Sequence, residues 1–160
     1  MTHIPSVINN KDFSLLMAEV LKKGKAFRFQ ASGASMSPFI KSGDILTLVT
    51  ANHRCIRIGD VVAFYHPHNA NLTIHRIVKR CANTYLLKPD NSLQVDGWIN
   101  RDAIIGIVQS VERGERPYNL GLGWEKWWIA NLSRWNLLRQ TTGIFWRIFP
   151  NRVKKRIKGI

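Results

Sequence analysis

A serine set among small residues, Gly33-Ala34-Ser35-Met36-Ser37-Pro38, is the first group in this chain with the setting of a nucleophile. Gly33 and Ala34 keep bulk away from its N-terminal side, and Pro38 fixes the backbone soon after it. Such a turn presents Oγ to a bound peptide and leaves backbone N–H groups free to face a developing oxyanion. The same pattern also suits an ordinary turn between strands, so the chemistry depends on a base and on something to orient it. His75 lies in residues 72–78 (Leu-Thr-Ile-His-Arg-Ile-Val), a titratable ring among β-branched neighbours that can hold it still. A lone strand histidine also has a purely structural reading. Asp90 and Asp96 bracket the loop after residues 84–87; either could orient His75, and either also suits turn formation. Serine, histidine and a carboxylate together would perform nucleophilic acyl transfer. His3, His53, His66 and His68 fall in polar or loop stretches and read as solvated. His66 and His68 lack a third ligand at suitable spacing, so no metal site and no cofactor is expected.

The elements that must position these groups are mostly short strands. Apolar or alternating runs at 26–31, 45–49, 61–65, 72–78, 84–87 and 103–111 are separated by turn residues. Gly43-Asp44, Gly59-Asp60, His66 to Asn71 and Lys88 to Ser92 are the clearest of these turns. Strands at this spacing predict a mainly β domain, a barrel or sandwich. Before them, Phe13, Leu16, Met17, Val20 and Leu21 recur at helical spacing. Asn10 or Asp12 stands at the start, and Lys22, Lys23 and Gly24 at the end, so an N-terminal helix is expected.

From about residue 117 the character changes. Trp124, Trp127, Trp128, Leu132, Trp135 and Leu138 follow helical spacing, and five of the six tryptophans lie beyond residue 120. From Arg113 onward eleven Lys/Arg face only Glu115 and Glu125, within a chain of net charge +14. Aromatic and basic residues on one amphipathic segment suit a helix lying in a membrane interface; packing on the domain or on a partner is the alternative. The segmentation is therefore 1–25 helical, 26–114 β domain, and 115–160 basic and tryptophan-rich. Residues 120–160 are expected to meet an anionic membrane surface, and no nucleic-acid partner is expected. Residues 1–10 lack the basic and apolar regions of a signal peptide, and no window of about 20 residues is continuously apolar. Peripheral membrane association is expected, with the cytoplasm as the default side. Cys55 and Cys81 have neither redox nor metal spacing and are expected as buried or half-exposed free thiols.

The ordered set Gly33 to Pro38, Ser42-Gly43-Asp44, Gly59-Asp60-Val61-Val62-Ala63-Phe64, Ile74-His75-Arg76-Ile77-Val78, Lys88-Pro89-Asp90-Asn91 and Ile105-Gly106-Ile107-Val108 resembles the type I signal peptidase family. Its closest likeness is to the histidine-containing archaeal and endoplasmic-reticulum branch, and it spans roughly residues 26–111. The resemblance implies a signal-peptidase/LexA-like β fold and serine-type cleavage of a peptide or precursor protein after small residues. It maps the nucleophile to Ser35, the base to His75 and the acidic positions to Asp90 and Asp96, with Asp96 the better triad acid. Gly33, Ala34, Met36 and Pro38 would surround the oxyanion and substrate. Three positions depart from the family. A soluble helix stands where a membrane anchor is usual. Gly33 replaces a serine that adds an oxyanion donor in many members, and Pro89 replaces a glycine. Self-cleaving repressors of the LexA type share the serine turn but use a lysine base, and here the matching strand carries His75. A non-catalytic adaptor that keeps the fold and binds through its basic tail is the rival reading.

Overall fold

The computed structural model describes residues 10–51, 55–66 and 71–135. These form helix α1 (Asn10–Lys22) and strands β1 (Phe27–Gln30), β2 (Ile45–Thr50), β3 (Val61–Tyr65), β4 (Leu72–Cys81), β5 (Thr84–Lys88), β6 (Gly97–Asn100), β7 (Ile104–Arg113) and β8 (Arg116–Pro117). A 3-10 turn (Arg101–Ala103) precedes β7, and helix α2 (Lys126–Arg134) follows β8. All strands join one antiparallel sheet in the order β1-β2-β7-β3-β4-β5-β6, with β8 paired to the end of β7. The mainly β architecture with a helix at either end matches the fold expected from the strand spacing.

The sheet bends at three register shifts, at Thr47/Leu48, Ala63/Phe64 and Ile77/Lys79. Bulges of this kind increase local twist and let one sheet wrap two cores. β3 makes this plain. Val61 and Ala63 enter a core with Met17, Leu21, Leu46, Leu48 and Val108, while Val62 and Phe64 enter a second with Ile56, Ile77, Leu87 and Ile104. A strand covered on both faces carries no polar alternation, which is why residues 61–65 are continuously apolar. α1 closes the first core. Phe13 packs edge-on against Phe27 and Phe29, each at a ring-centroid distance of 5.5 Å, and Met17 and Leu21 are fully buried.

Several expectations change in the structure. β6 and β8 are additional strands; Gly97–Asn100 alternates only weakly and takes its extended form from pairing with β5. Both cysteines are free thiols, but exposed rather than buried or half-exposed. Arg113, counted with the basic residues of the C-terminal part, holds Asp44 through its guanidinium at 2.7 Å and 2.8 Å. The helical stretch expected over 124–138 begins at Lys126, and residues 136–160, including Leu138 and most of the basic run, lie outside the described residues. His3, His53 and His68 also lie outside them.

α2 packs on β4, with Ile129, Ala130 and Ser133 buried. The face that meets the sheet therefore combines the apolar Ile129 and Ala130 with the polar Lys126 and Ser133. Lys126 joins it through a 2.6 Å bond to Asp60, and Ser133 receives the buried Lys88 ammonium at 3.3 Å. Gly59 makes the approach possible. Its φ is +95°, and a Cβ there would stand 2.6 Å from the Lys126 carbonyl oxygen.

Candidate active site

Ser35 follows β1 in a turn pinned at three points. Gly33, at φ +89°, turns the chain in a conformation that L side chains rarely adopt. Met36 drops into the first core while Ser35 stays exposed, so one side chain anchors the turn and its neighbour faces solvent. The next turn winds back on Met36, whose carbonyl accepts from the amides of Phe39 and Ile40 at 3.1 Å and 3.0 Å. From across the site, Asn91 clamps the nucleophile segment. Its backbone N–H donates to the Ser35 carbonyl at 2.8 Å and its side-chain amide to the Ala34 carbonyl at 3.2 Å. Among the described residues, the Ser35 N–H has no hydrogen-bond acceptor. It is the donor that an oxyanion at Ser35 would need.

His75 sits in β4 opposite Val62 and is almost wholly buried, its ring 6.1 Å from that of Phe64. Nδ1 lies 2.8 Å from Asp96 Oδ2. A carboxylate can only accept, so this bond places a proton on Nδ1, and in the neutral imidazole Nε2 is then the proton-accepting nitrogen. Asp96 is carried by the loop that leads into β6, and its own amide is tied to the Leu87 carbonyl at 2.9 Å. His66 reaches the same carboxylate, with Nε2 3.8 Å from Asp96 Oδ1. It is half-buried beside Phe64 rather than solvated as its loop position suggests, because the β3–β4 hairpin closes at His66, whose N–H bonds the Asn71 carbonyl at 2.9 Å.

Asp90 does something else. It accepts from Arg76 Nε and Nη2 at 2.9 Å and 2.7 Å, and both side chains are fully buried. Arg76 Nη1 also donates to the carbonyls of Gly59 at 2.8 Å and Gly121 at 2.7 Å. This fork joins the β5–β6 loop, the turn before β3 and the approach to α2. The loop that carries Asn91 is thereby fixed from inside the protein. The two acids that the sequence left as alternatives thus have separate partners: Asp96 faces His75, and Asp90 faces Arg76.

A cleft of about 740 Å³ opens beside Ser35. One wall is the nucleophile segment with Gly33 and Met36, the opposite wall is β4 at residues 72–74, and α1 contributes Phe13, Ser14 and Met17. Ala34 and Pro38, expected around the substrate, are not part of this lining; Ala34 serves through its clamped carbonyl. Among the described residues no hydrogen bond joins the Ser35 hydroxyl to the His75 ring. Such contacts are commonly long in a serine hydrolase without substrate and tighten when it binds. No group of three or more metal-ligating side chains occurs among the described residues.

Sequence reasoning passed over Asn91, Arg76 as an internal fork, the α1 wall and His66. Asn91 had a visible signal, since it follows Asp90 in a motif already singled out. The others depend on contacts between segments far apart in the chain.

No curated protein matches the chain. The model of the Peptidase S24-like family matches residues 3–109, which take in α1, the Ser35 turn, His75, both acids and nearly all of the sheet. The chain belongs to the Peptidase S24-like family, within the LexA/signal peptidase-like superfamily.

Proposed function

We propose that the protein is a serine endopeptidase of signal-peptidase-like specificity, working through Ser35, His75 and Asp96. The observation that carries this reading is the 2.8 Å bond from His75 Nδ1–H to Asp96, together with an exposed serine whose N–H has no acceptor among the described residues. His75 Nε2 takes the proton of Ser35 as Oγ attacks the scissile carbonyl. The Ser35 N–H receives the oxyanion, and Asp96 stabilises the imidazolium that forms. His75 then protonates the leaving amine, and water releases the acyl-enzyme by the same steps in reverse roles. Family members include self-cleaving repressors as well as peptidases. A histidine rather than a lysine at the base position favours the signal-peptidase-like branch for this chain.

The substrate has a place to lie. Residues 72–75 of β4 pair with β3 on one side, whereas β5 begins to pair only at Arg76. The other edge of that segment faces the cleft, and an extended peptide can add to it as a strand. Small residues at the scissile position fit against Gly33 and Met36.

The test is hydrolysis of a precursor peptide with small residues at the cleavage site by purified wild type and Ser35→Ala. Wild type should cleave, and the variant should lose roughly 10⁴-fold or more in rate with its fold intact. Equal turnover by the two would refute the assignment.

A further inference from the structure

The tryptophans in and beside α2 are turned to solvent. Trp124, Trp127, Trp128 and Trp135 are between 49 % and 82 % exposed, while Ile129, Ala130 and Ser133 face the sheet. Exposed tryptophans gathered in and beside one short helix are uncommon in a soluble domain and mark a surface that meets something. The patch continues onto the sheet. Leu86 stands opposite both Lys79 and Trp98 and is two residues from Lys88, so these side chains share the sheet face on which Lys88 reaches Ser133 of α2. Trp98 is 47 % exposed there.

We propose that this face is a docking surface for an anionic bilayer, with the tryptophans at the interface and Lys79 and Arg134 at the head groups. Two features of the patch favour lipid. Each flank pairs a cation with an exposed indole, Lys79 over Trp98 and Arg134 over Trp135, both at 5.7 Å. This is the amphipathic pairing that suits the boundary between acyl chains and head groups. The charge complements an anionic surface, since nine Lys/Arg from Lys126 onward are opposed by Glu125 alone in that part of the chain. Lys126 is neutralised by Asp60, which leaves eight: Arg134 at the patch and seven in the sequence that follows the described residues. That excess also disfavours a second copy of the chain, which would bring like charges together. Nucleic acid is less suited, because Trp127 and Trp128 pack edge to face at 4.8 Å on a helix surface rather than offering a row of open rings for bases.

The orientation has a consequence for the site. Trp98 is two residues beyond Asp96, and Leu93 and Val95, just before it, are about half exposed. Docking by this face brings the Asp96 loop to the bilayer.

The test uses the full chain and vesicles of neutral phosphatidylcholine, with or without about a third of phosphatidylglycerol, in flotation assays. Wild type and Ser35→Ala should float alike with the anionic vesicles, since docking does not depend on catalysis. The double variant Trp127→Ser/Trp128→Ser should bind more than about tenfold more weakly, as expected when two half-submerged indoles are lost. Trp124→Ser and Trp98→Ser, single changes at exposed positions, should each lose several-fold and guard against misfolding of the double variant. Raised salt should weaken wild-type binding and leave a residue that the double variant lacks. Failure of wild type to float would overturn the proposal. So would tryptophan variants that float like wild type while salt releases all of them, which would indicate a contact with polyanions, nucleic acid included. Tryptophans already shielded from acrylamide without vesicles would also overturn it, showing a face covered by protein.

Discussion

Asp90→Asn and Asp96→Asn make nearly the same chemical change six residues apart, and the structure separates their effects. Asp96 touches His75 at 2.8 Å, with both side chains about 10 % exposed. Asparagine there can present an N–H to Nδ1, which favours the wrong tautomer and removes the charge that stabilises imidazolium. Loss of an orienting carboxylate of this kind costs roughly 10⁴ in kcat. The stability change should be small, about 1 kcal/mol, or roughly 2–4 °C in a chain of this size. Among the described residues Asp90 is the sole carboxylate on Arg76, and the pair is completely buried. Asparagine leaves a buried guanidinium without a counter-charge, held only by the carbonyls of Gly59 and Gly121. Breaking such a pair costs about 3–5 kcal/mol, or roughly 6–20 °C in melting temperature. The assay is a thermal melt of both variants, with peptide hydrolysis measured well below either midpoint. Asp96→Asn should be stable and nearly inactive, and Asp90→Asn should melt early and keep most of its activity while folded. An Asp90→Asn protein that melts like wild type and is inactive, beside an active Asp96→Asn protein, would refute this division of roles.

Gly59→Ala should lower the melting temperature by several degrees, because the new Cβ meets the backbone carbonyl of Lys126 at 2.6 Å in a conformation already costing about 1–3 kcal/mol for alanine. Hydrogen exchange should show α2 loosened, and unchanged melting and exchange would mean that the helix does not depend on this close approach. Burial lowers the Lys88 pKa from its usual 10.5, with the Asp90 charge opposing in part. The unfolded chain therefore binds that proton more tightly, so stability should rise with pH between the lowered folded value and 10.5. Lys88→Met should flatten this rise in melts across the alkaline range, and parallel slopes for the two proteins would show that Lys88 is not its source.

Much of the domain was legible in the sequence because local rules fixed it. Residues 61–65 could only be a strand buried on both faces, Phe27 and Phe29 alternate inward with Arg28 and Gln30 outward, and the α1 face follows from its spacing. The Ser35 turn was legible for the same reason, since Gly33 and Met36 act within four residues of each other. What could not be read from the sequence depends on long-range partners. Asp90 and Asp96 are equivalent in local pattern, only the family resemblance favouring Asp96, until the fold sets Arg76 beside one and His75 beside the other. The orientation of α2 is the sharper case. Its spacing left the tryptophans either in a membrane interface or packed on the domain, and distant partners decide: Lys126 and Ser133 meet Asp60 and Lys88 on the domain, Ile129 and Ala130 are buried with them, and the indoles remain outside. His66 came inward from a loop because a hairpin returned it to the Asp96 carboxylate.

The most direct test of the catalytic assignment is covalent labelling of the folded protein by a phosphonylating serine electrophile, located by peptide mass spectrometry. A single adduct on Ser35 is expected, abolished in Ser35→Ala and reduced by orders of magnitude in His75→Ala, since the hydroxyl needs the Nε2 base to react. Labelling that is absent from wild type, lies on another serine, or persists undiminished in His75→Ala would contradict a nucleophile at Ser35 activated by His75.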